Sequence, residues 1–508
     1  MSSQSFSGSS HHNFPHHNFP IDRCGKVPKK TPCHRSFSAR FRLLRRLDFR
    51  GSFELVFPPK PRKKCLSSEI KLAPVPGVAK IFVTTTYHSH DTLNSLFFND
   101  LINIYPNSKD AYHCPSISDL DFAKLGILRC VSSAKTGHEF LQDHAEKGEA
   151  IIDPSHFFKA LKSDRRLANL SSLNSLLLPV MRERCPDPLS EFKELNDFDI
   201  YAADGHYHHA AAFDPKPTKP GEKTIATGHF FRLDMRSHHL GYMELSEPDA
   251  GKKKAHDITI IRRASAETLR NGAAKGRKIL YAWDKACIDY QLWHKLKHSS
   301  GIYFITREKS NSRAENCTLN LIDSTDPRNA GIESDHLVGT SNGVQLRRIV
   351  YVDPADGSTY TYLTNEMTIP AYQLCFLYKK RWEIEKVFHQ FKSKMEERKS
   401  WASSATAKRA HGQFECLAHN LLILLEQEMQ RLGLVDEVEK KKQKQRAKTR
   451  KNREGTVMKM ASNFIGKAIE RATQRTHRFI RWLRSHVYFK APLSEAIARL
   501  AAVWGCKI

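Results

Sequence analysis

Residues 199–306 alternate two hydrophobic patterns, and that alternation limits what the chain can fold into. Asp199-Ile-Tyr-Ala-Ala-Asp204 is an extended apolar run that ends in a carboxylate. Two further strands are expected over 228–235 and 241–245, joined at a polar turn over 236–239. Asp257 is placed to N-cap a helix over 258–269, since a short side-chain acceptor satisfies first-turn N–H groups. Residues 277–283 read as a buried strand with Asp284 directly after it. Asp289 then reads as the cap of a helix carrying Leu292 and Leu296, and 301–306 as another strand. Strand, hairpin, helix, strand, helix, strand is the order of a mixed α/β core.

Two of these strands end in an aspartate, Asp204 and Asp284. Ligands and metals in α/β sheets gather beyond strand ends, so the pair is informative where one alone is weak. A stronger signal lies in a helix expected to begin near Pro370 and to run past Lys392. At about 100° per residue, Tyr378, Arg381, Glu385 and Lys392 fall near 0°, 300°, 340° and 320°, on one narrow arc. Leu377, Ile384, Val387, Phe388 and Phe391 form an apolar face, and Lys379, Glu383, Lys386 and Gln390 a face expected to meet solvent. A solvated helix needs no third, polar stripe beside its core face. The plainer alternative is an intrahelical salt bridge of Arg381 with Glu385.

The chain has 508 residues, long enough for about two to four domains. Its 81 Lys+Arg against 54 Asp+Glu give a net charge of +27. A surplus of that size suits a polyanion, nucleic acid above all, because neutralised phosphates release their counterions. A protein that is merely basic is the bland alternative. No run of about 18 apolar residues occurs, so no membrane span is expected. The N-terminus lacks the charged-then-apolar order of a signal peptide. None of the 11 cysteines has CxxC spacing, which disfavours a zinc finger or dithiol motif and suits free thiols in a reducing cytoplasm.

Segments can be assigned from composition. Residues 1–75 are rich in Ser, His, Pro and Arg, carry His-His-Asn-Phe-Pro twice at 11–20, and read as disordered. Residues 76–195 read as a helical domain suited to DNA, 196–312 as the first part of the α/β core, and 313–366 as a β-rich insertion. Core helices with the polar stripe follow over 367–432, then a basic helical region over 433–508 with nine Lys or Arg within 440–453.

Tyr378-x2-Arg381-x3-Glu385-x6-Lys392, preceded by Leu363-Thr-Asn-Glu-Met-Thr-Ile-Pro370, resembles the signature of the IS-four family of insertion-sequence transposases. These are DDE enzymes with a ribonuclease-H-like core, and the resemblance covers about residues 196–430. It implies a ribonuclease-H-like mixed sheet flanked by helices, with a helical N-terminal domain and a β-rich insertion between the second Asp and the Glu. It implies Asp204, Asp284 and Glu385 as catalytic residues holding two Mg²⁺ or Mn²⁺ ions, which prefer carboxylate oxygen. Tyr378, Arg381 and Lys392 are implied to touch phosphates of the transposon end. The implied reaction is metal-dependent cleavage at transposon ends, then transfer of the freed 3′-hydroxyl into target DNA. The implied partners are terminal inverted repeats, target DNA and a second copy of the chain in a synaptic complex, with no membrane. The implied place is the cytoplasm, beside the nucleoid.

Some positions depart from the family pattern: Asp204-Gly-His where Ser or Gly then Thr is common, and Asp284-Lys-Ala-Cys where Arg-Gly-aromatic is frequent. No Trp lies between Trp293 and Trp382, so stacking on an unpaired base within the insertion would fall to Tyr351, Tyr360 or Tyr362. Two other functions stay open: a transposase-derived DNA-binding protein without catalysis, and a metal-dependent nuclease without strand transfer. The intact acidic triad argues against the first. Asp214, Asp234 and Asp289 read as structural acids, and His206, His208 and His209 as solvated or structural histidines.

Overall fold

The computed structural model describes residues 92–105, 116–147, 152–214, 226–246, 256–312, 315–340, 343–354, 356–395, 399–431, 447, 477–487 and 492–504. The 1–75 segment and, apart from Ala447, the 440–453 basic run lie outside these residues. Nine strands are described: β1 (Phe198–His208), β2 (Thr227–Asp234), β3 (Leu240–Ser246), β4 (Lys278–Ala282), β5 (Ile302–Arg307), β6 (Glu315–Leu319), β7 (Ile332–Gly339), β8 (Gln345–Val352) and β9 (Thr359–Thr364). They form one mixed sheet in the order β3-β2-β1-β4-β5-β9-β8-β7-β6. β1, β4 and β5 run parallel to one another, and the other pairings are antiparallel. The strands of the 313–366 segment therefore continue the core sheet through the β5–β9 pairing.

Helices α1 (Leu93–Ile104), α2 (Asp119–Cys130), α3 (Gly137–Glu146), α4 (Pro154–Ala160) and α5 (Asp164–Arg184) precede the sheet. α6 (Asp257–Arg263), α7 (Ala266–Arg270) and α8 (Tyr290–Ser300) connect its strands. α9 (Ala371–Lys380), α10 (Trp382–Ser393) and α11 (Ala405–Arg431) follow it, then α12 (His477–Val487) and α13 (Leu493–Trp504). Among the described residues no helix is long and apolar enough to cross a membrane.

Alternation along β1 sets the layers. Ile200 and Ala202 join the core shared with α1, α2, α5, α10 and α11, whereas Tyr201 and Ala203 join the core shared with α6, α7 and α8. β4 repeats the pattern, with Leu280 and Ala282 on the first side and Ile279, Tyr281 and Trp283 on the second. Successive strand residues face opposite ways, so Asp204, His206 and His208 continue the Ile200/Ala202 face toward α10 and α11. α11 is buried over most of its length and forms the spine of that layer.

Three expectations need correction. Asp257 does not cap its helix: His256 holds the N-cap position without a side-chain hydrogen bond, and the expected single helix breaks into α6 and α7, the second capped by Ser265. The long helix after Pro370 is interrupted at Arg381, where α9 passes to α10. Glu383 does not point to solvent. It is buried, with its carboxylate 3.9 Å from His238 Nε2 and 3.5 Å from Lys386 Nζ. The turn between β2 and β3 covers that side of α10, a tertiary contact that no helical wheel contains. Gln390 is buried as well, and Lys379 is paired with Asp353 at 2.5 Å.

Candidate active site

Asp204 and Asp284 begin as neighbours because of strand register. The last paired residues of β1 and β4 are Ala202 and Ala282, and each aspartate follows two positions later on the same side. Adjacent strands lie about 4.8 Å apart, which brings the two carboxylates together where β1 runs on past the end of β4, so that Asp204 lies within its strand and not at the expected strand end. The β2–β3 pairing carries a bulge at Met243 of β3, beside Phe230 and Phe231, which lie opposite Gly205 and Asp204. Bulges of this kind re-aim side chains beside functional sites.

Glu385 arrives from the first turn of α10, and Arg381 from the junction just before it. The Arg381 guanidinium donates to Glu385 Oε1 at 2.7 Å and to Asp204 Oδ2 at 3.4 Å. One cation therefore ties the strand acid to the helix acid, 181 positions apart in chain order. The simple i,i+4 salt bridge is present, but the same guanidinium also reaches Asp204 on the sheet.

A fourth carboxylate joins them. Asp257, in the first turn of α6, accepts a hydrogen bond from the Tyr207 hydroxyl at 3.0 Å. A Cβ on Gly205 would lie 2.9 Å from Asp257 Oδ1, so the glycine after Asp204 admits this acid. Asp257 gave a visible signal in the sequence, but one that reads as a helix cap. Its approach to Asp204 depends on how α6 packs.

The electrostatics agree with the crowding. Burial pushes the Asp204 carboxyl up to about 6. Arg381 and the Gly205 N–H pull it down, and Asp257 and Glu385 push it up again. The Cys287 thiol is raised by burial and by Asp257, Asp284 and Asp204, so it senses three of the acids. Tyr378 is raised by burial too, and Asp284 adds to the shift. Its ring lies 4.9 Å from Tyr362 and 5.6 Å from the Arg381 guanidinium carbon. Asp284 also accepts the Ala286 N–H at 3.3 Å. Asp204 and Glu385 share the Arg381 guanidinium, and Asp257 and Asp284 act with Asp204 on the same Cys287 thiol, so the site has an excess of negative charge and offers carboxylate oxygens. That fits hard divalent cations.

The expected phosphate-contacting residues lie at different depths. Tyr378 and Arg381 are buried, and Lys392, in the last turn of α10, is exposed. Of the tyrosines named for base stacking, Tyr351 and Tyr362 are core residues, while Tyr360 is half-buried and stacked 6.3 Å from Tyr362. The structural acids have clear partners. Asp234 pairs with Arg182 at 2.8 Å, Asp214 with Lys408 at 3.0 Å, and Asp289 caps α8 through the Leu292 N–H at 3.1 Å. His206 and His208 are not solvated: both are 1% exposed.

Two comparisons bear on this geometry. Residues 233–421 match the family model described as the transposase DDE domain, a span that includes Asp284 and Glu385 and begins after Asp204. The protein named "Putative transposase y4zB" from Sinorhizobium fredii (strain NBRC 101917 / NGR234) is 29% identical over 187 residues, covering 35% of this chain and 50% of that protein. The chain thus spans about half the length of this curated relative. With a mixed sheet flanked by helices and acids gathered where β1 runs past β4, these matches support a transposase of the DDE type.

Proposed function

We propose that the chain cuts DNA at the ends of a mobile element and joins the freed 3′-hydroxyl to target DNA. Asp204, Asp284 and Glu385 are its catalytic and metal-binding residues, as in the IS-four insertion-sequence transposases. The observation that carries this reading is the Arg381 guanidinium held between Asp204 and Glu385, with Asp284 in register on the next strand. A protein that bound DNA without chemistry would gain nothing from acids crowded where phosphate must come.

The two ions, Mg²⁺ or Mn²⁺, when bound supply Lewis-acid activation of the attacking oxygen and stabilisation of the leaving one. Asp204, Asp284 and Glu385 would hold the two ions between them. Arg381 balances the carboxylates in the DNA-free chain. On substrate binding it would turn to a phosphate, which its planar fork grips bidentately. Tyr378 packs beside Arg381 and limits its swing, and Lys392 would hold a phosphate farther along the strand. No covalent protein–DNA bond is required. Terminal inverted repeats and target DNA are the proposed substrates. A second copy of the chain would join in a synaptic complex, within the cytoplasm beside the nucleoid. The +27 charge supports a polyanionic partner.

The test is a strand-transfer assay with the element's own terminal repeats, Mg²⁺ and a target plasmid. End cleavage followed by joined product is expected from the unmodified chain. Cleavage without joining would leave a nuclease, and equal cleavage by Glu385→Gln would remove the active-site assignment.

A further inference from the structure

Beyond Asp204, the same face of β1 carries His206 and His208. His229 sits on β2 directly opposite His206. α11 lays His411 and Glu415, one turn apart, onto these strands. His206, His208, His229, His411 and Glu415 are each 1% exposed or less. Nitrogen atoms of His208, His229 and His411 lie within 4.8 Å of one another, and so do donor atoms of His206, His208 and Glu415. The His208 and His411 rings stack at 4.9 Å, and the His208 and His229 rings meet at 5.0 Å.

Such a cluster is costly without a cation. A carboxylate removed from water needs compensation, and Glu415 has an ion-pair contact among the described residues with His208 alone, at 3.0 Å. Lys408 is taken by Asp214 at 3.0 Å, and the Arg129 guanidinium lies 4.1 Å over the Trp401 ring. Both ring nitrogens of His206 and Nε2 of His229 are buried with no hydrogen-bond partner among the described residues.

The Tyr242 hydroxyl and the Glu415 carboxylate lie against two of the rings. In the tautomer that leaves His229 Nε2 bare, its Nδ1–H donates to the Tyr242 hydroxyl oxygen at 3.4 Å. His208 Nε2 lies 3.0 Å from Glu415 Oε1. Pairing of a ligand imidazole with a carboxylate or hydroxyl is the usual outer support of a bound ion. Gly412, beside His411, allows this approach: a Cβ there would lie 2.4 Å from the Tyr242 ring and 3.0 Å from His229 Nδ1.

We propose that His208, His229 and His411 bind one zinc-class divalent ion in the interior, with Glu415 orienting His208 and supplying counter-charge. Imidazole nitrogen suits Zn²⁺ and its neighbours, not Mg²⁺. The site is separate from the carboxylate site, about 13 Å along β1 from Asp204. It would staple β1 and β2 to α11 and so fix the strand that carries Asp204. This role is structural, and it holds whether or not the acids cut DNA.

The experiment uses the full chain, expressed with zinc and purified without metal-affinity resin. Metal content is measured by mass spectrometry after dialysis against Mg²⁺. About one zinc per chain is expected, retained when His11, His12, His16 and His17 are all changed to Ala, and lost in His229→Ala. Should His229→Ala fail to fold, the unmodified chain still decides the matter. Stripping it with a chelator should lower Tm by about 5 °C or more, restored by Zn²⁺ or Co²⁺ but not by Mg²⁺. The Co²⁺ form should show the visible absorption of a low-symmetry, nitrogen-rich site. A chain purified without zinc whose Tm ignores added Zn²⁺ would overturn the proposal. So would zinc that leaves with the tail histidines.

Discussion

The two ends of one strand face make an instructive pair. Asp204 and His208 both project from β1 toward the layer formed by α10 and α11, four residues apart. At Asp204 the surroundings are acidic, partly open and tied by a single guanidinium. At His208 they are closed, rich in imidazole and covered by α11. The difference lies in the covering helix: α10 brings Glu385 and Arg381 to Asp204, whereas α11 seals the histidines with Gly412, Tyr242 and Trp401. An open site that must admit DNA keeps charge and water, while an interior site can hold charge only as a balanced set.

The largest expected effect tests the open end. Asp284→Ala should lower end cleavage by at least about a thousandfold, or about 4 kcal/mol of barrier, while far-ultraviolet circular dichroism stays unchanged. Comparable rates from both proteins would mean that the acids are structural.

Next comes pH. In the metal-free chain Asp204 has a folded value of about 6 against an ordinary 3.8. A raised folded value means that the protonated form favours folding. That stabilisation is complete below about 3.8 and is lost as pH rises through about 6. Asp204→Asn should therefore stabilise the metal-free protein above pH 6, by up to about 3 kcal/mol, and have little effect near pH 4. Denaturant titrations at the two pH values check this. Destabilisation at both would show that the Arg381 contact outweighs burial.

Arg381→Ala should destabilise the metal-free chain by about 2 kcal/mol, because Asp204 and Glu385 lose their shared donor. Added Mn²⁺ should recover part of the loss in Tm, since cations can replace the guanidinium. At the closed end, Gly412→Ala should cost about 1 kcal/mol in urea melts. The clash with Tyr242 outweighs the better helix propensity of Ala. The smallest effect on chemistry belongs to Asp289→Ala: loss of a helix cap costs about 1 kcal/mol of stability and leaves cleavage per folded molecule unchanged.

Much of the open end was legible in the sequence. Strand alternation located β1 and β4, and the aspartates at 204 and 284 fall where the parallel register makes them neighbours. The arc shared by Arg381 and Glu385 anticipated one polar stripe, and the i,i+4 contact is there. Less legible was everything that depends on packing between distant segments. Asp257 read as a cap because local spacing favours that role, yet α6 turns it toward Gly205 and Tyr207. Glu383 read as solvent-facing because a helical wheel knows nothing of the β2–β3 turn at His238. The histidine cluster was hidden most deeply. His206-x-His208 and His411-x3-Glu415 are ordinary in isolation, and 203 residues separate His208 from His411. Only the seating of α11 on β1 and β2 joins them.

The central claim is spatial: acids from β1, from the end of β4 and from α10 share a pair of divalent ions. A crystal of the full chain soaked in Mn²⁺ tests it most directly through anomalous scattering. Peaks should appear with carboxylate oxygens of Asp204, Asp284 and Glu385 at about 2.1 Å, with Arg381 displaced from Asp204. Mn²⁺ bound instead at Asp214, Asp234 or Asp289, with Arg381 still bridging Asp204 and Glu385, would contradict the account.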